Sequence, residues 1–385
     1  MKKIQHVFII GSKGIPAQYG GFETFVEQLT KYNMGGVQYH VACISDKNGS
    51  YIYHDAECVQ IKVPNIGPAK AVYYDCAAMQ YFIRYCNVHK EVEQPIFYIL
   101  ACRIGPFIKG FKKQIQSLKG LLYVNPDGQE WKRKKWSWPI RRYWKISEKK
   151  MIQHSDYVIC DSKEIEKYIQ KEYSISQPKT KFIPYGAEDM LLSDQKKLDD
   201  WLDKWKLARN EYYILVGRFV QENNFEIIIR EFMSSNTRRK LVIITGNNSK
   251  LKKKICKATL CQQDPRIVFA GTVYDPELLC AIRKQAYASI HGHEVGGTNP
   301  SLLEGMCCTK VNLVLDVAFN REVATDGALY WSKEMGNLST LIMQVDKLHE
   351  EEIFSIHKKA VARIISCYNW RLIEQSYRDF FLKEN

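Results

Sequence analysis

The stretch HVFIIGSKGIPAQYGGFETFVEQL, residues 6–29, decides the architecture. An apolar run of strand length ends at Gly11, a loop follows with Gly14, Gly20 and Gly21, and helix-like periodicity begins near Phe22. A short apolar run stopped by glycine predicts a buried strand over residues 6–10, and the spacing beyond it predicts a helix over 21–31. The same alternation continues outward. Strands are expected at residues 39–44, 58–63, 96–101, 121–125, 157–160 and 181–184, with helical segments at 69–86, 138–154 and 163–172. Such repetition implies a parallel sheet covered on both faces.

The charged segment 188–210 carries no strand signal and reads as a connection, with its Leu and Trp spacing permitting a helix. Alternation then restarts, with strands expected at 212–216, 241–245, 267–270, 288–291 and 311–315. The expected fold class is therefore α/β, with two doubly wound Rossmann-like domains facing across a cleft. Their expected limits are 1–190 and 211–350, joined by 191–210. The tail 351–385 is expected to form helices whose apolar spacing (Ile353, Ile356, Ala360, Ile364, Ile365) packs on a domain surface.

Composition agrees. The 385 residues, 45% of them hydrophobic, suffice for two or three cores and exclude global disorder. Lysine and arginine exceed aspartate and glutamate by 56 − 42 = 14, which points to a negatively charged partner. Twelve cysteines, several inside apolar strands (Cys43, Cys102, Cys160), read as reduced core residues of a cytoplasmic protein. No CxxC occurs, and neither Cys307-Cys308, nor Cys256 with Cys261, nor His291 with His293 matches a zinc pattern, so no metal is expected. The opening lysines resemble a secretory leader, but the following apolar run is too short, and no stretch is long enough to span a bilayer.

In doubly wound folds ligands bind outside the carboxyl ends of the strands. Gly20 and Gly21 let backbone amides approach a ligand at the start of a helix, although glycines that merely turn the chain look the same locally. VNPDGQEWKRKKW (124–136) brings Asp127, Glu130, Lys132 and Arg133 to a strand end, where Pro126-Asp127-Gly128 alone also makes a polar turn. Asp161 and Tyr185 each follow a strand, and Asp161 could equally cap the next helix.

From Lys132 to Lys150 run nine basic residues, one acidic residue and four interleaved aromatics. That mixture suits an anionic membrane surface, a nucleic acid or a solvated basic face. No nucleic-acid-binding module accompanies it, so no nucleic-acid partner is expected.

YYILVGRFVQENN (212–224) places Gly217 and Arg218 where a strand ends, and a guanidinium there can neutralise a departing diphosphate. HGHEVGGTNPSLLEGM (291–306) offers Thr298 or Asn299 as the cap of a helix starting at Pro300, with Gly296 and Gly297 opening the backbone. Helix-start amides suit phosphate, while Glu294 and Glu304 can accept hydrogen bonds from sugar hydroxyls. Together they suggest a nucleotide sugar.

These segments resemble the retaining GT-B glycosyltransferases of family 4, and within them bacterial β-1,4-rhamnosyltransferases of capsule and cell-wall polysaccharide synthesis. The likeness spans nearly the whole chain through GSKGIPAQYGGFETFVE, NPDGQEWKRKKW, VGRFVQENN and HGHEVGGTNPSLLE. It implies a hexosyltransferase taking L-rhamnose from dTDP-β-L-rhamnose to the 4-hydroxyl of a glucose or N-acetylglucosamine on a polyprenyl diphosphate. The enzyme would then work at the inner face of the cell membrane, held peripherally through the basic segment.

The resemblance assigns catalytic roles to Asp127, Arg218 and Glu294. It assigns donor binding to Gly20, Gly21, Arg218, Asn223, Gly297, Thr298, Asn299 and Glu304, and acceptor or cleft roles to Glu130, Lys132, Asp161 and Tyr185. The family's lysine after the first strand of the nucleotide domain corresponds here to Asn223. Nine residues, not seven, separate Glu294 from Glu304, and Asp127-Gly128 stands where relatives often carry histidine. No DxD pair occurs, so no metal or other cofactor is expected for transfer. The rival readings are a glucosyl- or N-acetylglucosaminyltransferase of the same fold, and a basic membrane- or nucleic-acid-binding protein with an inactive cleft.

Overall fold

The computed structural model describes residues 4–18, 20–133, 135–246 and 249–383. It divides into two compact units, Met1–Tyr185 with Trp370–Asn385, and Gly186–Asn369.

The first unit runs β1 (Gln5–Ile10), α1 (Gly21–Lys31), β2 (Val37–Ser45), β3 (Gly49–Tyr53), β4 (Ala56–Lys62), α2 (Lys70–Val88), β5 (Ile96–Leu100), α3 (Gly105–Ser117), β6 (Leu121–Asn125), α4 (Trp138–His154), β7 (Tyr157–Cys160), α5 (Lys163–Glu172) and β8 (Thr180–Phe182). Its sheet has the order β3-β4-β2-β1-β5-β6-β7-β8, parallel except for the β3–β4 hairpin. Strand alternation explains the continuous apolar run of β1. Phe8 and Ile10 join Phe82, Phe97 and Ile108 in a core under α2 and α3, while buried Val7 and Ile9 alternate with them along the strand.

The second unit runs α6 (Gln195–Trp205), β9 (Tyr212–Val216), α7 (Phe225–Ser234), β10 (Lys240–Ile244), α8 (Ser249–Thr259), β11 (Ile267–Gly271), α9 (Pro276–Gln285), β12 (Ala288–His291), α10 (Pro300–Cys308), β13 (Asn312–Leu315), α11 (Ala318–Ala324), β14 (Leu329–Trp331), α12 (Asn337–Val345) and α13 (Glu350–Cys367). Its sheet, β11-β10-β9-β12-β13-β14, is parallel throughout. The chain order reverses between β9 and β12, so the loops after these two strands diverge around a switch point.

Two expectations need correction. The segment 191–210 is not merely a connection. Asp194 caps α6, and Leu198 and Leu202 are buried against Tyr212, Ile214 and Ile282 of the second unit, each worth about 2 kcal/mol of burial. The tail is not one surface layer either. α13 stays with the second unit, burying Ala360 and Ile364 but leaving Ile365 60% exposed. α14 (Trp370–Lys383) instead belongs to the first unit, where the Tyr377 and Tyr98 hydroxyls lie 3.0 Å apart and Phe380 packs 5.4 Å from Tyr123.

Two strands escape the sequence reading. β3 is an edge strand turned by His54 and Asp55 at positive φ, and β14 is only three residues long.

Candidate functional site

In the second unit the loops following β9 and β12 are knit together. Asn223 donates through Nδ2 to the Arg218 carbonyl at 2.7 Å, while its Oδ1 meets His293 Nδ1 at 2.6 Å. Asn224, at φ 52°, donates to the Gly292 carbonyl at 2.8 Å, and the Glu294 amide donates to the Glu222 carbonyl at 3.0 Å. Gly292 must be glycine, because a Cβ there would lie 2.7 Å from the Asn223 carbonyl. Buried Asn320 completes the frame by donating to the carbonyls of His293 and Leu315. Asn223 thus acts here as a brace, and the Arg218 side chain it supports is exposed, with no hydrogen bond or ion pair to its guanidinium among the described residues.

Asn299 caps α10, accepting from the Ser301 amide at 2.9 Å, and Pro300 occupies the first helical position. Gly297 and Thr298 before it are buried, with Gly296 at φ 124°. Glu304 is held from below. Arg283, 3% exposed on α9, reaches Glu304 Oε2 at 2.5 Å and Ser301 Oγ at 3.0 Å, and Ser301 in turn donates to the Val216 carbonyl at 3.1 Å. Glu294 is half-buried and paired with Lys333, just beyond β14. The His291 imidazole, buried beside Arg283, His293 and a small cavity of mixed polar and apolar lining, is pushed down to about 3 chiefly by desolvation.

In the first unit α1 holds the glycine loop through carboxylates that the sequence reading passed over. Glu23 accepts from the Lys13 amide at 2.7 Å, and Glu27 from the Ala17 amide at 2.5 Å and the Tyr53 hydroxyl at 2.9 Å. Gly20, at φ 141°, leaves room for Glu23, whose Oε2 a Cβ would strike, and Gly21 opens the helix. Arg103, after β5, was also missed. Its Nη1 reaches the Gly11 carbonyl at 2.8 Å and Asp75 Oδ2 at 3.2 Å. Burial pushes the Asp75 carboxyl up to about 6 against the pull of Arg103. A charged residue at a strand end is the same signal that singled out Arg218.

Asp127 is half-buried at φ 59°, its amide donating to Asn125 Oδ1 at 2.8 Å in an Asx turn, and its charge acts on Arg103. Tyr185 is buried, its hydroxyl 3.5 Å from Asn125 Nδ2. Asp161 is buried too and does not cap α5, because Ser162 takes that place and accepts from the Ile165 amide.

Much of the basic segment is spent internally. Glu130 binds Arg133 at 2.5 Å, Lys135 at 2.7 Å and the Trp136 indole at 2.8 Å. Lys145 pairs with Glu172 at 2.7 Å and stands 4.5 Å from the Trp131 ring centroid. Arg141 donates to the Trp131 carbonyl at 2.7 Å. Lys132 is exposed, 5.3 Å from the Trp131 ring, while Lys134 lies outside the described residues. The outward face of α4 keeps Trp138, Arg142, Ile146, Lys149 and Lys150 exposed. Among the described residues no helix is long and apolar enough to cross a membrane.

Two doubly wound units, each with its polar residues gathered at strand ends, define a GT-B fold. Residues 199–363 match the family model Glycosyl transferases group 1, and residues 4–188 match a domain of unknown function, DUF1972. An uncharacterized glycosyltransferase of Methanocaldococcus jannaschii is 25% identical over 63% of this chain, a match spanning 58% of that relative's length. Sucrose-phosphate synthase of Thermosynechococcus elongatus superimposes with a TM-score of 0.76 at 15% identity, covering 98% of this chain and all of the other. The Anabaena protein HepE, in complex with UDP and glucose, gives 0.72 at 13% identity over 98% of this chain and 99% of its own. At these identities the likeness of the solved structures establishes the fold.

Proposed function

We propose that the protein is a nucleotide-sugar-dependent glycosyltransferase working with retention. The observation that carries this reading is the pairing, at the switch point of the second unit, of exposed Arg218 with the Gly296–Gly297 approach to the capped start of α10. Amides and a guanidinium in that arrangement suit the diphosphate of a nucleotide sugar. The UDP and glucose of the HepE complex are consistent with that class of ligand.

In the reaction the acceptor hydroxyl attacks the anomeric carbon as its bond to the diphosphate oxygen breaks. The hydroxyl proton passes to the departing diphosphate on the same face, whose charge Arg218 and the α10 amides hold. Glu304, fixed by Arg283, accepts from donor hydroxyls, and Asp127 stands on the acceptor side. Neutralisation by these groups makes the transfer independent of a metal ion.

The donor we infer is dTDP-β-L-rhamnose. The acceptor is the 4-hydroxyl of a glucose or N-acetylglucosamine on a polyprenyl diphosphate, in capsule or cell-wall polysaccharide synthesis. The resemblance of VGRFVQENN and HGHEVGGTNPSLLE supports that specificity. The exposed basic and aromatic face of α4 supports peripheral attachment to an anionic membrane. A mass-spectrometric transfer assay tests it, with dTDP-rhamnose and UDP-sugars offered against short lipid-diphosphate acceptors. Transfer from dTDP-rhamnose with a 1,4-linked product is expected. Turnover of UDP-sugars alone would reassign the donor, and salt-sensitive binding without turnover would reject the enzyme.

A further inference from the structure

We propose that Cys280, Cys308 and Asp189 of the second unit form a structural site for a borderline-soft divalent cation of the zinc type. Cys280 lies on α9, Cys308 is the last residue of α10, and Asp189 lies in the segment that precedes α6. The two sulfurs are 2.7 Å apart, Cys280 Sγ is 3.6 Å from Asp189 Oδ1, and all three ligand atoms lie within 4.8 Å of one another. No sequence pattern announces the set, because 91 and 28 residues separate its members.

The chemistry of the donors selects the ion. Two thiolates and one carboxylate suit zinc, with a Zn–S bond of about 2.3 Å, and would part the sulfurs to roughly 3.7 Å around it. The fourth tetrahedral position is left to water. Charge closes as well. Two thiolates and Asp189 carry −3, the cation +2, and Lys284, 2.5 Å from Asp189, the remaining +1. Both cysteines are buried at 6% exposure, while Asp189 is exposed and supplies the side of entry. A disulfide is the competing fate of the pair. It gives the carboxylate no role, and negative charge beside Cys280 disfavours the attacking thiolate.

The ion would staple α9 and the carboxyl end of α10 to the segment that opens the unit. It would act on structure and not on the reacting sugar, because the nine-residue α10 sets it about 13 Å from the amides at the helix start.

The test is cobalt(II) titration of protein stripped of metal and kept in a phosphine reductant. One equivalent should raise thiolate-to-cobalt charge-transfer and tetrahedral d–d bands, and zinc should erase them. Cys280→Ser and Cys308→Ser should each abolish the charge-transfer signal, and Asp189→Ala should weaken zinc affinity at least tenfold. Zinc should also shield Cys280 and Cys308 of the unaltered protein from alkylation, mapped by peptide mass spectrometry, a readout that survives if the cysteine variants do not fold. Reduced protein that gives no charge-transfer band, bands that persist in both cysteine variants, or alkylation indifferent to zinc overturns the site. None of these readouts depends on sugar transfer.

Discussion

Arg283 Nη1 lies 2.5 Å from Glu304 Oε2, joining a nearly buried guanidinium on α9 to a carboxylate one turn inside α10. The same guanidinium binds Ser301 Oγ at 3.0 Å, so one side chain sets both the carboxylate and the first turn of the helix proposed to receive the donor. Arg283 is then a positioning residue. Arg283→Ala should raise the donor KM about tenfold, the size of a lost charge-assisted hydrogen bond of about 1.4 kcal/mol, with a smaller change in kcat. Arg283→Lys, which keeps the charge without the fork, should recover part of it. Steady-state kinetics on folded variants check this, and equal falls in kcat and kcat/KM with no rescue by lysine would contradict it.

Arg218 and Glu304 should separate into different kinetic classes. Arg218 is exposed and, among the described residues, is engaged through its backbone alone, so Arg218→Ala should leave the fold intact and remove charge stabilisation developed at the leaving diphosphate. The expected loss is about two orders of magnitude in kcat, or about 3 kcal/mol, by analogy with a lost oxyanion donor. Glu304→Gln should act mainly on donor KM. Near-normal kinetics for both soluble variants would remove the donor site from this helix start.

Asp127 tests the acceptor side. Its backbone is fixed by the Asn125 Asx turn, independently of its own carboxylate, so Asp127→Asn should preserve the turn and alter only charge. Transfer should fall at least tenfold while donor hydrolysis in the absence of acceptor is unchanged, measured by nucleotide release. Unchanged transfer would leave Asp127 as a turn residue.

His291 gives a pH signature in stability. Its folded pKa is depressed to about 3 by burial, with His293 and Arg283 adding to the effect, whereas the unfolded side chain titrates near 6.5. Between those values the unfolded chain binds the extra proton, so this group's contribution is complete above about pH 6.5 and is lost as pH falls. The slope is about 1.4 kcal/mol per pH unit. Chemical denaturation of His291→Gln between pH 7 and 5 should be flatter than that of the parent by this amount. Identical slopes would mean the imidazole is solvated.

The doubly wound alternation was legible because each buried strand must be apolar on both faces and must end where the chain turns. Tyr212–Val216 and Ala288–His291 were therefore found to the residue. Asn299 at the start of α10 was legible for the same local reason, since capping residues and Pro300 mark a helix start by themselves. Long-range partners were not. Nothing near Glu304 in sequence announces Arg283, 21 residues away, and nothing near Glu294 announces Lys333, 39 residues away. Composition misled in the basic segment for the same reason. Charge counts cannot show that Glu130 absorbs Arg133 and Lys135, or that Glu172 holds Lys145. The placing of α14 in the first unit depends on tertiary contacts such as Tyr98 with Tyr377, which no local pattern contains.

That internal pairing sharpens the prediction for membrane attachment. Residues 138, 142 and 146 recur every four positions along α4 and share one face, with Lys149 and Lys150 at its end. Trp138 is 68% and Ile146 44% exposed, and the Arg142 guanidinium stands 5.6 Å from the Trp138 ring. An aromatic and an aliphatic side chain flanked by three cations fit the interfacial zone of an anionic bilayer, where each cation contributes about 1 kcal/mol. Replacing Arg142, Lys149 and Lys150 with Gln, together with Trp138→Ala, should weaken binding to phosphatidylserine-containing vesicles by at least tenfold. Transfer to a long-chain lipid-diphosphate acceptor should fall with it, while transfer to a short soluble acceptor persists. Lys145→Gln, which breaks the contacts to Glu172 and Trp131, should instead lower thermal stability and leave vesicle binding nearly unchanged. Vesicle co-sedimentation and calorimetry on the two variants separate the roles. Loss on both acceptors from the surface variant would move this face into the active site, and no loss on either would leave it a solvated face.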